Sequence, residues 1–142
     1  MAAALAAGAS ATALPPPPLD AALALAEFEA GLDGLAENDL VDEAEVDSII
    51  RETVLHAIGD MPWSDAKVGP WTSQVIEGIL KKLAGLQKPM KYVCHVSLTQ
   101  RAGAGLHAAA ASRCNAKTDG SLTVHWESAT VLALVTVFWL AA

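Results

Sequence analysis

The chain has 142 residues, 53% of them hydrophobic, and a formal net charge of -7. That length predicts a single domain with a real core. The charge excludes an overall basic surface for nucleic acid, because no Lys or Arg precedes Arg51 whereas ten of the sixteen acidic residues do.

Residues 1–39 read as an Ala/Pro-rich acidic extension, and residues 40–142 as the folded domain. The extension holds 14 alanines and the run Pro15–Pro18, which favours an extended spacer. Its opening MAAALAAGASATAL has no basic residue, which argues against a secretory or mitochondrial leader. Leu19–Leu35 is a candidate acidic amphipathic helix, with Leu19, Leu23, Ala26 and Phe28 toward one side. It is read either as a disordered tail or as a helix that docks on a neighbouring subunit.

The first clear helix follows. Val46, Ile49, Ile50, Thr53, Val54, Ala57 and Ile58 recur at helical spacing on one face. Asp42 is the expected cap, with Glu45 completing a capping box. Gly59 and Pro62 are expected to stop the helix. A second helix presents Trp71, Val75, Ile76, Ile79, Leu83 and Leu86. Pro70 fits only a first turn, so regular helix is expected from there, after an irregular turn at 64–69. Gly78 costs about 1 kcal/mol relative to Ala inside a helix unless a close contact needs it. Gly85 and Pro89 are expected to end this helix.

Four strands are expected next. Lys91–Thr99 alternates, with Tyr92, Cys94, Val96 and Leu98 inward. Gly103-Ala104-Gly105 forms a hinge, and the Ala-rich segment Leu106–Arg113 is read as the second strand, although propensity alone favours helix there. Thr118-Asp119-Gly120-Ser121 makes a turn into Leu122–Glu127, where Leu122, Val124 and Trp126 share one face. In Thr130–Leu140 both alternating sets are apolar, Val131, Ala133, Val135, Val137 and Trp139 against Leu132, Leu134, Phe138 and Leu140, with Thr136 the one hydroxyl after Thr130. A strand apolar on both sides is covered on both sides. The two helices take one face, and a second subunit is the economical cover for the other. Val135, Val137 and Trp139 are the expected dimer core. This last apolar run spans about 13 residues, whereas a bilayer-crossing helix needs about 20, so no membrane partner is expected.

Catalytic signals are poor. Gly103-x-Gly105-x-x-Ala108 matches a dinucleotide fingerprint, but no βαβ unit surrounds it. His56, His95, His107 and His125 have no ligand spacing and no nucleophile beside them. Cys94 and Cys114 read as free thiols, with no CxxC for a metal. No cofactor is expected.

Specific residues carry a resemblance. The order α-α-β-β-β-β with Lys67-Val68, Trp71-Thr72, Lys88-Pro89-x-Lys91-Tyr92, Gln100, Gly103-Ala104-Gly105-Leu106-His107, Thr118-Asp119-Gly120-Ser121, Thr123-Val124 and Trp126-Glu127 resembles the Tctex-type dynein light chains over about residues 41–142. The resemblance implies an α+β fold, two N-terminal helices packed on a four-stranded antiparallel sheet, in a strand-exchanged dimer. It implies a non-catalytic subunit of a dynein motor. The exchanged strand, carried onto Gly105, Leu106, His107, Ala108, Ala109, Ala110, Ala111, Ser112 and Arg113, offers its edge to an extended segment of a dynein intermediate chain. The other partner is a second copy or a paralogous Tctex-type light chain. Pro70 and the alanines of 108–111 depart from the usual pattern. Within the resemblance, the Ala-rich composition and acidic extension favour an axonemal dynein arm of a cilium or flagellum. Cytoplasmic dynein or a cargo adaptor is the alternative, and a nucleotide-binding enzyme is the reading from a different class.

Overall fold

The computed structural model describes residues 2–4 and 37–141, so the expected helix at 19–35 lies outside the described residues. Two helices, α1 (Glu43–Ala57) and α2 (Val68–Gly85), cover one face of an antiparallel sheet. The strands are β1 (Ala2–Ala4), β2 (Met90–Gln100), β3 (Ala111–Arg113), β4 (Gly120–Glu127) and β5 (Val131–Ala141). The main sheet has three strands in the order β2-β5-β4, and β1 and β3 pair separately.

Local chemistry sets the helix ends. Asp42 caps α1 through its side chain, which accepts from the Ala44 N–H at 3.1 Å. Gly59 lies just past the end with φ +54, the left-handed conformation that only glycine adopts without penalty. The second helix begins two residues before Pro70. The Lys67 and Val68 N–H groups both donate to the Ser64 carbonyl, which starts the turn early. Pro70 is the third helical residue, still within the first turn, where an N–H has no intrahelical acceptor to lose. At the other end the helix runs to Gly85, as expected, with Leu86 as its cap. Gln87 takes the left-handed conformation, φ 55, and its N–H reaches the Ala84 carbonyl.

The core is the helix-facing side of the sheet. Val46, Ile50, Val54 and Ile58 of α1 and its C-terminal cap, with Trp71, Val75, Ile79 and Leu83 of α2, pack on Val124, Val131, Ala133, Val135, Val137 and Trp139. Burial of each Val, Ile or Leu contributes about 1.5–3 kcal/mol. Two glycines are required by close approach. A Cβ on Gly120 would stand 2.6 Å from Trp139 Cζ2, and one on Gly78 2.7 Å from Thr53 Cγ2. Gly78 is therefore a point of close contact between α1 and α2. The Thr53 methyl cannot easily yield, because its hydroxyl donates to the Ile49 carbonyl at 2.7 Å. Gly78→Ala is expected to lower stability by about 1–2 kcal/mol, overpacking outweighing the propensity gain of about 1 kcal/mol. In a Thr53→Ala background the same change should be neutral or stabilising. Thermal melts of the four proteins check this.

Two expectations need correction. The segment 106–113 is not a fourth strand of the main sheet: only Ala111–Arg113 is extended and paired, and its partner is β1. Residues 106–110 have no backbone partner along a sheet, and alanine contributes little β-preference of its own. Likewise Val135, Val137 and Trp139, expected in a dimer core, are 0%, 0% and 4% exposed beneath the chain's own helices. The set that faces away from the helices is the alternate one, with Leu132, Leu134, Phe138 and Leu140.

Candidate functional site: an open sheet face and a docking strand

The register of the sheet defines its outer face. Thr136 lies between His95 and Thr123, Leu134 between Ser97 and His125, and Phe138 between Val93 and Ser121. Thr123 and Thr136 join their hydroxyls at 3.0 Å. Val93 is 52% exposed, and Leu134 and Phe138 are half-buried. No helix covers this side among the described residues.

The chain crosses this face after β2. Gly103, with φ +78, turns it off the end of the strand. Gly105 needs no such conformation. Leu106, 50% exposed, and His107 and Ala108 border a cleft with His125, Leu132 and Leu134. Ala108, Ala109 and Ala110 border the next cleft with Val93, His95, Ser97, Thr123, Leu134, Thr136 and Phe138. All of 101–109 is exposed, and Ala110 is half-buried. Ala111, Ser112 and Arg113 then form β3. The structure thus brings the expected strand residues over the outer face, but not into the plane of the sheet. Among the described residues, β2 and β4 each have one edge without a strand partner, where backbone N–H and C=O groups accept an added strand.

Asp119 fixes the return from β3 to β4. One carboxylate oxygen accepts from the Ala141 N–H at 2.7 Å and the Thr118 hydroxyl at 3.0 Å, and the other accepts from the Asn115 N–H at 3.1 Å. This ties the loop to the end of β5, so β3 leaves the domain at a fixed place. The sequence marked Thr118–Ser121 only as a turn. Its Asx chemistry was the available signal, but the reach to Ala141 depends on tertiary structure. At the opposite end of the sheet, Arg101 Nη1 donates to the Ser128 carbonyl at 3.1 Å, and the Arg101 N–H to the Thr130 carbonyl at 2.8 Å.

The titratable groups suit packing. Burial pushes the Cys94 thiol up to about 11, leaving it protonated and a poor nucleophile at neutral pH. Burial, and then the charge of Glu45, raise Tyr92. Because both groups hold protons in the folded state that the unfolded chain gives up, stability is full below the free thiol's value of 9.0 and is lost as pH rises toward about 11. Urea midpoints at pH 8 and pH 10 should differ, and Cys94→Ala should shrink the difference. Among the described residues, no group of three or more His, Cys, Asp or Glu side chains could hold a metal ion. No helix there is long and apolar enough to cross a membrane.

Two helices back one face of an antiparallel sheet, the segment 106–110 lies over the other face, and β3 pairs outside the main sheet. The family model of the Tctex-1 family matches residues 40–140, and the chain belongs to that family. It is 42% identical over 97 residues to "Dynein light chain Tctex-type" of Drosophila melanogaster, covering 68% of this chain and 87% of that protein. It is 30% identical over 97 residues to "Dynein light chain Tctex-type 3" of Homo sapiens, covering 68% and 84%. A third relative, "Dynein light chain Tctex-type" of Dictyostelium discoideum, is 30% identical over 95 residues, covering 66% and 86%.

Proposed function

We propose that this chain is a non-catalytic light chain of a dynein motor, that it works as a dimer closed by exchange of residues 106–113, and that it takes up an extended segment of a dynein intermediate chain by backbone pairing along that strand. The observation that carries the reading is the strand itself. Residues 106–110 lie unpaired across a sheet face that mixes Val93, Leu134 and Phe138 with His95, Thr123 and Thr136, and Ala111–Arg113 pairs by backbone with another strand. Swinging 106–113 onto a free sheet edge in a second copy, that of β2 or of β4, would complete a four-stranded sheet, and the two outer faces would then cover each other. Exchange of an identical element is a low-cost route to a dimer. The other edge of the exchanged strand remains for an extended peptide, and two such edges per dimer give bivalency.

The partner in exchange is a second copy or a paralogous Tctex-type light chain. The narrower reading, a flagellar or ciliary axonemal arm, is supported by the acidic Ala/Pro-rich extension. Cytoplasmic dynein is the alternative. Affinity purification of the full chain from axonemes and from cytosol, with partners identified by mass, tests both levels. A dynein intermediate chain recovered from either source supports the light-chain reading, and the richer source decides the motor. Folded protein that recovers none from either contradicts it.

A further inference from the structure

The strand β1 has no role in a light chain that offers Ala111–Arg113 to another protein. It lies antiparallel on β3, with Ala2 opposite Arg113, Ala3 opposite Ser112 and Ala4 opposite Ala111. We propose that Ala2–Ala4 is an occupant of the docking edge supplied by the chain itself, competing with the intermediate-chain segment for the backbone groups of Ala111–Arg113. The inference rests on the strand-docking reading given above.

Three features support competition. The chemistry is the same: a short extended segment pairs by backbone with a strand whose neighbours are small. Second, no residue before Asp20 carries a charged side chain, so placing this segment on the edge desolvates no side-chain charge. Third, residues 5–36 connect the two parts. A chain of 32 residues reaches at most about 110 Å at full extension, far more than a small domain requires. Tethering of this kind gives an effective concentration in the millimolar range or below, falling with linker length.

The pairing is also weak enough to be displaced. It involves three residues on each side, and alanine is a poor strand former. A two-stranded pair of this size is marginal on its own. Apparent affinity for a competing segment falls in proportion to the fraction of molecules whose edge is free. For an edge occupied between about half and nine-tenths of the time, removal of β1 should tighten binding by about 2- to 10-fold.

The test compares the full chain, Ala3→Pro and a deletion of residues 2–4. Each is titrated with a fluorescein-labelled dynein intermediate-chain peptide, chosen as the one the full chain retains from an overlapping set, and dimer mass is followed by sedimentation. The expected result is tighter peptide binding in both variants with dimer mass unchanged. Amide exchange at residues 111–113 of the free protein should be faster in both, because pairing with β1 has been removed. A free peptide of residues 1–8, added to the deletion variant at millimolar concentration, should displace the label. Equal affinity in all three proteins overturns the inference and leaves the docking reading intact. Stronger self-association without tighter peptide binding also overturns it, since β1 would then hold the edge used in exchange. If no peptide of the set binds any of the three, the docking reading itself fails.

Discussion

Val135→Asp is expected to abolish cooperative folding, whereas a charge one strand-face away should leave the fold intact. Val135 is fully buried between Val96 and Val124, beneath α1 and α2. No cation stands among the core residues to pair with an introduced carboxylate. An unpaired ionised or merely protonated carboxyl there costs several kcal/mol, and the lost methyl packing adds to it. Domains of this size hold about 5–15 kcal/mol in all. Circular dichroism melts should show no sigmoidal transition, or one lowered by more than about 20 °C, since about 1 kcal/mol shifts a domain this size by several degrees. A cooperative melt near that of the wild type would mean that this face is not the monomer core.

Phe138→Asp is expected to give the opposite pattern, a folded monomer that no longer holds an intermediate chain. Phe138 is half-buried on the outer face, opposite Val93 and Ser121. In the single chain its ring borders an open cleft under Ala108–Ala110, so a carboxylate there remains hydrated. In a dimer that covers this face, the charge is buried twice, once from each subunit. A modest penalty of about 2 kcal/mol per subunit totals about 4 kcal/mol, a loss of about 1,000-fold in dimer affinity. Sedimentation equilibrium at micromolar concentration should show a monomer, with a melting curve still cooperative. Phe138→Asp that sediments like the wild type would remove the outer face from the dimer.

Much of this was readable in the amino acids, for a physical reason. Helical spacing in Val46–Ile58 and Trp71–Leu86 and strict alternation in Tyr92–Leu98 and Leu122–Trp126 are produced by one-sided burial, and one-sided burial was found. The motifs around Gly103–His107 and Thr118–Glu127 pointed to the family that the comparisons show. The side assignment of β5 was not readable. With both alternating sets apolar, alternation alone cannot say which set faces the helices. Register decides it, by setting Val135 opposite Val96 and Val124, and Thr136 opposite His95 and Thr123.

The segment 106–113 was only partly legible, for a different reason: in the single chain only Ala111–Arg113 is a strand. Leu-His-Ala-Ala-Ala-Ala carries no strand signal of its own, and its state depends on which backbone is beside it. In this chain, that backbone is Ala2–Ala4 for the last three residues. Nothing in the opening MAAAL indicates an edge 107 to 111 residues away, because backbone pairing needs little from side chains. Gly78 is a milder example. Its cost in a helix was visible, but its compensation, the Thr53 methyl 2.7 Å from where a Cβ would lie, is a fact of packing.

In the proposed function, residues 106–113 form a strand shared with other chains. Amide hydrogen exchange of the full chain, alone and saturated with its intermediate-chain peptide, tests it most directly. Paired amides are protected and exposed ones are not. The expected result is that the peptide protects amides within 108–110, unpaired in the free chain, while the core strands β2, β4 and β5 are protected to the same degree in both states. Binding that leaves 108–110 exchanging as fast as before, or that protects the helices instead, would contradict it.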